Sequence, residues 1–426
     1  TNTSFSINLE KAYSDNDVWK IGFKFKDKTK MRDDIWYEYD NDLSNMDGVN
    51  YFDASIPDYL AGDTYQSGYF VTANTLGMLS LSGPEDPNFD SYVMDEFAGG
   101  NYDAEEQIAA FYAMIVDKLG DDVTLIAGAR FESTSINYTG QVFDEEEDEL
   151  PSDIGSVSGG NDYYNILPNL TLQWDVNDEL NLNIAFTQSI ARPSYYDLVP
   201  YEYSNSDDQE LALGNPDLKS SLSTNFDFMG EWYFGGLSLL SFGYFSKDIK
   251  DWIYQYTTNN YTYAGVNGYE LSQLRNGEKA SVSGFELGFQ TKFLKNFTFM
   301  GNYTSTDSST NNVEGRDDVP LTGQVDDMYN LSLAFENKKF FVRASMNYAS
   351  EALDELSGDA YEDRYYDEQT FVDVNANYKV NDNLSIFAEG KNLTNQPLRY
   401  YQGIQQRTMQ IEYYNLSWTV GLKYDF

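Results

Sequence analysis

The chain has 426 residues and a formal net charge of -42, from 69 acids against 27 bases, with no cysteine and no histidine. That balance argues against nucleic-acid binding, which needs lysine and arginine set against phosphates, and the missing cysteines remove disulfide frameworks and thiolate metal sites. Aromatic residues reach 16%, with 36 Tyr and 27 Phe, and no apolar run approaches the roughly 18 residues of a helical membrane span, so a membrane β-barrel, whose strands only alternate, stays open.

No basic-then-apolar leader opens the sequence, so the chain reads as mature or as beginning partway through a precursor. From the start, "TNTSFSINLE" reads as a strand. A long connection follows at about 40–101, rich in aromatics such as Tyr51, Phe52, Tyr59, Tyr65, Tyr69 and Phe70. At about 60 residues it is too long for a mere connector, which makes it a candidate for gating or partner contact. Tyr65 and Tyr69 are its candidate ligand-binding residues. Within it "DNDLSNMDG" (Asp40–Gly48) looks like a calcium loop but fails the EF-hand template, with Asn45 at the glycine position and Tyr51 at the bidentate glutamate position.

Further along the period is two. Val123, Leu125, Ala127, Ala129 and Phe131 alternate with Thr124, Gly128, Arg130 and Glu132, and only Ile126 breaks the polar row. Leu222, Phe226, Phe228, Trp232 and Phe234 alternate with Ser223, Asn225, Asp227 and Glu231. Phe285, Leu287, Phe289 and Phe293 oppose Glu286, Gln290 and Lys292, and Val372, Val374, Ala376, Tyr378 and Val380 oppose Asp373, Asn375, Asn377 and Lys379. These are strands with one apolar and one polar face. The last strand, "NLSWTVGLKYDF", sets Leu416, Trp418, Val420, Leu422, Tyr424 and Phe426 toward lipid and Ser417 to Asp425 toward the lumen.

Connections alternate between two classes. Short turns at Lys118–Asp122, Asn177–Glu179, Gly235-Gly236, Leu294–Asn296, Asn337–Lys339 and Asn381–Asn383 carry the Gly, Asn and Asp that hairpins need. Long connections fall at about 40–101, 140–160, 191–218, 257–277, 308–322, 351–365 and 395–407. The expected fold is therefore all-β, a transmembrane antiparallel up-and-down β-barrel of about 15 strands, with short periplasmic turns and long extracellular loops. An open barrel leaves unpaired backbone in lipid, so the expectation is that this chain is the C-terminal part of a longer barrel.

Two loops carry candidate chemistry. Asp144, Glu145, Glu146, Glu147 and Asp148 sit in a run of six acids that could collect Ca²⁺ through oxygen ligands, or simply form a solvated, self-repelling loop. "ARPSYYDLVPYEYSNSDDQE" packs Arg192, Tyr195, Tyr196, Tyr201 and Tyr203 together. Aromatics beside acids and amides suit sugars or aryl groups at a barrel mouth. The structural alternative makes the tyrosines interface-belt residues and Arg192 a loop-holding ion pair. Without histidine the usual general base is missing, and acids are too abundant for any carboxylate pairing to point to a glycosidase. No enzyme is expected, and no Gly-rich phosphate loop appears.

Several segments, in order, resemble the C-terminal barrel of TonB-dependent outer-membrane receptors: "NYDAEEQIAAFYAMI" (Asn101–Ile115) with "LIAGARFE" (Leu125–Glu132), "FTQSIARPSYYDLVPY" (Phe186–Tyr201), "LGNPDLKSSLSTNFDFMGEWYF" (Leu213–Phe234) and "GKNLTNQPLRYYQG" (Gly390–Gly403). The resemblance spans essentially the whole chain, 1–426, and implies a barrel of about 22 strands around an N-terminal plug, of which the plug and first strands are absent here. It implies a multi-pass protein of the bacterial outer membrane. Its partners would be outer-membrane lipid and lipopolysaccharide, TonB reached through a missing N-terminal segment, and its own plug. The implied function is uptake of a scarce nutrient such as a ferric siderophore, a cobalamin-like cofactor or an oligosaccharide. The alternative is a receptor-like barrel docked in a larger surface assembly, with a surface lipoprotein as one such partner.

Overall fold

The structure is a computed structural model that describes residues 1–14, 17–38, 91–92, 100–142, 154–205, 208–311 and 313–426. Among these residues fifteen long strands follow one another: β1 (Asn2–Ala12), β2 (Val18–Arg32), β3 (Tyr102–Lys118), β4 (Val123–Val142), β5 (Gly155–Asn177), β6 (Leu180–Ala191), β7 (Ser221–Tyr233), β8 (Leu239–Tyr263), β9 (Val266–Phe293), β10 (Phe297–Asn311), β11 (Asp327–Glu336), β12 (Phe340–Ala349), β13 (Gln369–Lys379), β14 (Leu384–Lys391) and β15 (Ser417–Tyr424). Each pairs antiparallel with the next, from β1–β2 through to β14–β15. No pairing among the described residues joins β1 to β15, so both are edge strands. No helix of the described residues is long and apolar enough to cross a membrane.

Short turns close one end of this sheet, and the same device recurs. Asn177 Oδ1 accepts from the backbone N–H of Glu179 and Leu180 at 2.9 and 3.0 Å. Asn337 does so for Lys339 and Phe340, both at 2.8 Å, and Asn381 for Asn383 and Leu384, both at 2.9 Å. The asparagine side chain replaces a backbone carbonyl at the tightest point of each hairpin.

The register carries the apolar residues into one band. Phe23, Phe111, Phe131 and Ile166 are successive cross-strand partners. Leu170, Phe186 and Phe226 continue the row on β5–β7. Beyond Phe131 the same face of β4 turns to Ser133, Ser135 and Asn137, so the band on β4 is about nine residues tall, the height of a hydrocarbon core. Aromatics mark its margins. Phe285–Tyr303 (5.7 Å) and Tyr329–Tyr348 (4.7 Å) lie on one side, and Phe293–Phe297 (5.6 Å), Phe340–Tyr378 (4.6 Å) and Tyr424–Phe426 (5.1 Å) on the other. Such girdles belong at the two edges of a membrane. On β15 Trp418, Val420 and Leu422 pair with Gly390, Ala388 and Ile386 of β14, which sets them on the face of the apolar band, as expected.

At the other end the connections are folded rather than loose. The expected long connection at 257–277 is instead a hairpin, bulged between Thr258 and Thr262, with β8 and β9 meeting at Ala264 and Gly265, both at positive φ. Its polar-aromatic sequence lacked a strong turn signal, and the two-residue turn was hidden inside it. Glu210–Leu213 adds parallel to Glu270–Gln273, and Leu356 and Ser357 add parallel to Tyr256 and Thr257. Ala352–Ser357, Arg364–Tyr366, Leu398–Gln402 and Thr408–Glu412 form a small antiparallel sheet beside them. The sheet as a whole is thus mixed, although its fifteen staves are antiparallel. Trp252, Tyr254, Ala280, Val313, Val319, Leu353 and Leu356 form one buried core of this end.

Candidate functional site

The arginine-proline segment builds the best-defined polar cluster. Pro193 has no N–H to give a neighbouring strand, and β6 stops at Ala191. Ser194 then caps a one-turn helix, Tyr195–Leu198, its hydroxyl accepting from the Asp197 N–H while the Asp197 carboxylate accepts from the Ser194 N–H at 3.1 Å. The helix lies on the polar face of β2–β4. Tyr195, Leu198 and Val199 pack with Tyr102, Ala104, Ile136, Tyr138 and Leu218, all buried. Each fully buried leucine contributes about 1.5–3 kcal/mol.

The second signature, Gly-Asn-Pro-Asp-Leu, closes over the first. A Cβ on Gly214 would fall 1.7 Å from the Val199 carbonyl oxygen, and one on Gly140 2.0 Å from Val199 Cγ1. Only glycine leaves room for the Val199 carbonyl at 214 and the Val199 side chain at 140. Asn215 donates its backbone N–H to the Asp197 carbonyl at 2.8 Å and its Nδ2 to the Leu274 carbonyl at 2.8 Å, which anchors the turn to β9. Leu218 then drops into the core.

Charge is satisfied in the same place. Arg192 Nη2 donates to Glu132 Oε2 at 2.7 Å and to Thr134 Oγ1 at 3.1 Å, and Arg130 Nε reaches the other Glu132 oxygen at 2.5 Å. Tyr195 donates its hydroxyl to Glu106 at 3.0 Å, and Lys26 stands 3.6 Å from the same carboxylate. Lys28 Nζ lies 4.6 Å from the Tyr195 ring centroid. Burial, with the Glu106 carboxylate next, pushes the Tyr195 pKa upward, so the hydroxyl stays a donor. Tyr196 and Tyr201 stack at 4.3 Å, with Tyr102 at 6.1 Å from Tyr196.

Arg192, Tyr195, Tyr196 and Tyr201 are therefore brought together, on the polar face and away from the lipid girdles. Tyr203 is not part of that cluster. It sits in the strand Glu202–Asn205 opposite Ala212. Tyr65, Tyr69 and the acids Asp144, Glu145, Glu146, Glu147 and Asp148 lie outside the described residues, as does Asp40–Gly48. Among the described residues no group of three or more acids is arranged to hold a metal. The sequence reading missed Glu106, Glu132, Tyr102, Tyr138 and Lys28, which come from strands far off in the chain. Only the alternation of β2–β4 could have flagged them as sharing a face.

Residues 1–393 match the family model described as TonB dependent receptor-like, beta-barrel. No curated protein sequence matches the chain. Among solved structures it is similar to the ferric-catecholate import receptor Fiu from E. coli K12, with 14% identity, a TM-score of 0.64, and coverage of 100% of this chain and 54% of that one. It is also similar to the ferric yersiniabactin uptake receptor FyuA from Yersinia pestis (12% identity, TM-score 0.59, 100% and 54% covered) and to the copper transporter OprC (13%, 0.60, 100% and 56%). The chain thus spans about half the length of these proteins.

Proposed function

The chain belongs to the TonB-dependent receptor-like β-barrel family, an outer-membrane family, and from that premise we propose that it is part of a receptor that takes up a scarce nutrient across that membrane. One observation carries the reading: an antiparallel meander of fifteen staves with a lipid-height apolar band, aromatic margins and a polar opposite face. Its structural neighbours include two ferric-chelate receptors and a copper transporter, which favours a metal-bearing ligand over an oligosaccharide.

In this reading the short turns lie in the periplasm and the folded connections face outward. The polar face surrounds a plug domain, which TonB moves. The two signature segments fix one rim of the lumen, so that Tyr196 and Tyr201 present a rigid aromatic pair to an arriving ligand. The alternative, a docking subunit without transport, would need a lumen held shut by a stable partner. The discriminating experiment is uptake of radiolabelled iron by cells expressing the full-length protein, supplied with a panel of ferric chelates, with TonB present or deleted. Accumulation of at least one chelate that disappears without TonB is expected. Equal accumulation in both strains for every chelate would remove the transport reading.

A further inference from the structure

Most short turns share the acidic balance of the chain. Lys118–Asp122 carries two acids against one lysine, Asn177–Glu179 two acids and no base, and Asn381–Asn383 one acid and no base. Two neighbouring turn segments, Lys292–Phe297 and Glu336–Phe340, reverse it, with Lys292, Lys295, Lys338 and Lys339 against Glu336 alone. These tips lie side by side: the Glu336 N–H donates to the Asn296 carbonyl at 2.8 Å, and Phe297 pairs with Phe335. Lys295, Lys338 and Lys339 are exposed and form no ion pair among the described residues. Beside Lys295, Leu294 is 78% exposed with φ at +48°, a conformation that favours glycine or asparagine. The tip thus presents an apolar side chain next to a cation, a pairing suited to a membrane–water interface.

Above these tips the lipid-facing wall is dented. On β10, Phe297, Phe299, Gly301 and Tyr303 share the apolar face. Gly301 pairs with Phe289 of β9 and Leu331 of β11. A residue without a side chain, set among large ones, leaves an apolar cavity of about 610 Å³ lined by Leu287, Phe289, Phe299, Tyr303, Leu331 and Met346. From Phe297, in the aromatic margin, to Gly301 is about 13 Å along the strand, close to half of a hydrocarbon core of about 30 Å. Staves β9–β12 pair on both sides with other staves of this chain. The dent also lies on the face turned away from the lumen. A plug inside the barrel, or staves added beyond β1 or β15, would therefore not cover it.

We propose that the outer wall of β9–β12 holds one anionic phospholipid. Its phosphate sits on Lys295, Lys338 and Lys339, and one acyl chain runs over Phe297 and Phe299 into the dent at Gly301. The site takes from the reading above only the membrane setting and the periplasmic position of the short turns, which place this lipid in the periplasmic leaflet. It does not depend on what the barrel carries. Two features favour a held lipid over passing bulk lipid. The basic tips and the dent fall on the same staves, separated by the depth of one leaflet, so one molecule spans both. The lysines also attract an anionic headgroup and give a neutral one no such gain. The net charge of -42 does not oppose this, because charges further away than about 8–10 Å are largely screened by salt.

The test is native mass spectrometry of the full-length protein in detergent, titrated with phosphatidylglycerol or phosphatidylcholine of equal chain length. Wild type should retain phosphatidylglycerol at concentrations where phosphatidylcholine is lost. Lys295→Gln/Lys338→Gln/Lys339→Gln should weaken that binding about tenfold or more. Lys295→Arg/Lys338→Arg/Lys339→Arg should restore it, and Lys118→Gln at another short turn should change nothing. Gly301→Leu fills the dent and should weaken binding of hexadecanoyl lipid while sparing hexanoyl lipid. Gly301→Ala, a single added methyl, should do the same in smaller measure, which separates the effect from misfolding. Equal retention of the two lipids by wild type, or unchanged affinity in the glutamine variant, would overturn the site. So would displacement of the lipid by inorganic phosphate alone, which marks a simple anion site, or preferential retention of lipopolysaccharide by the same lysines. Orientation has its own readout. Lys295→Cys in intact cells should resist a membrane-impermeant maleimide, and labelling there would sink the periplasmic placement of the turns, whereas failure of lipid binding with no labelling would sink the lipid site alone.

Discussion

At Glu132 three charges and two segments of chain meet. Its two oxygens are divided between Arg130 and Arg192, and the glutamate is 8% exposed. Removing it leaves two guanidinium groups facing each other with little water, and an unsatisfied buried charged group costs about 1–3 kcal/mol or more. Glu132→Ala is expected to loosen the Tyr195–Leu198 turn, so that amides of Asp197 and Leu218 exchange about tenfold faster, the equivalent of 1.4 kcal/mol. Hydrogen exchange read by mass spectrometry checks this, and unchanged protection of that segment would show that packing of Leu198 and Val199 suffices. The sequence disclosed Arg192 as a residue worth attention but not its partner, because Glu132 lies 60 residues away on another strand.

At the scale of elements the folded connections are held to each other as well as to the staves. Asp363, 1% exposed, takes a bidentate pair from Arg316 at 2.9 and 2.6 Å and accepts the Ser357 N–H at 3.0 Å, while its carbonyl accepts from the Gly403 N–H at 2.8 Å. Three separate connections, at 313–326, 350–368 and 392–416, thus close on one residue. A bidentate arginine pair at such a junction gives geometric definition as well as energy. Asp363→Ala should cost about 3–5 kcal/mol locally, since it strands Arg316 beside a buried surface, and limited proteolysis should cut these connections while the staves stay intact. A digestion pattern identical to wild type would show that the Trp252–Leu356 core alone holds this end together. The composition of these segments, Asp, Glu, Gly and Tyr, reads as loop because none alternates for long. Their order comes from contacts between segments, which a single stretch does not display.

For the molecule as a whole the decisive property is which face meets lipid. Leu331 and Ser332 are neighbours on β11, yet Leu331 lies on the apolar band, paired with Gly301 and Met346, and Ser332 lies opposite, paired with Met300 and Ser345. Arginine near the bilayer midplane of a barrel costs about 2–4 kcal/mol on the lipid side, whereas lumen substitutions are tolerated. Leu331→Arg should therefore lower folding stability in lipid vesicles by about that amount, measured by denaturant titration, while Ser332→Arg stays within about 0.5 kcal/mol of wild type. Equal effects at the two positions would contradict the assignment of faces.

The strand period, the short hairpin turns with their Asn and Gly, the greasy side of each stave and the family are all legible in the sequence. These are local properties, written in residues one, two or three places apart. Tertiary structure decided what meets across the sheet. It put Val199 against Gly140 and Gly214, drew Glu106 under Tyr195, and turned the expected 257–277 loop into a hairpin braced on both sides. The physical reason is that sheet pairing joins positions tens of residues apart, which no local pattern connects.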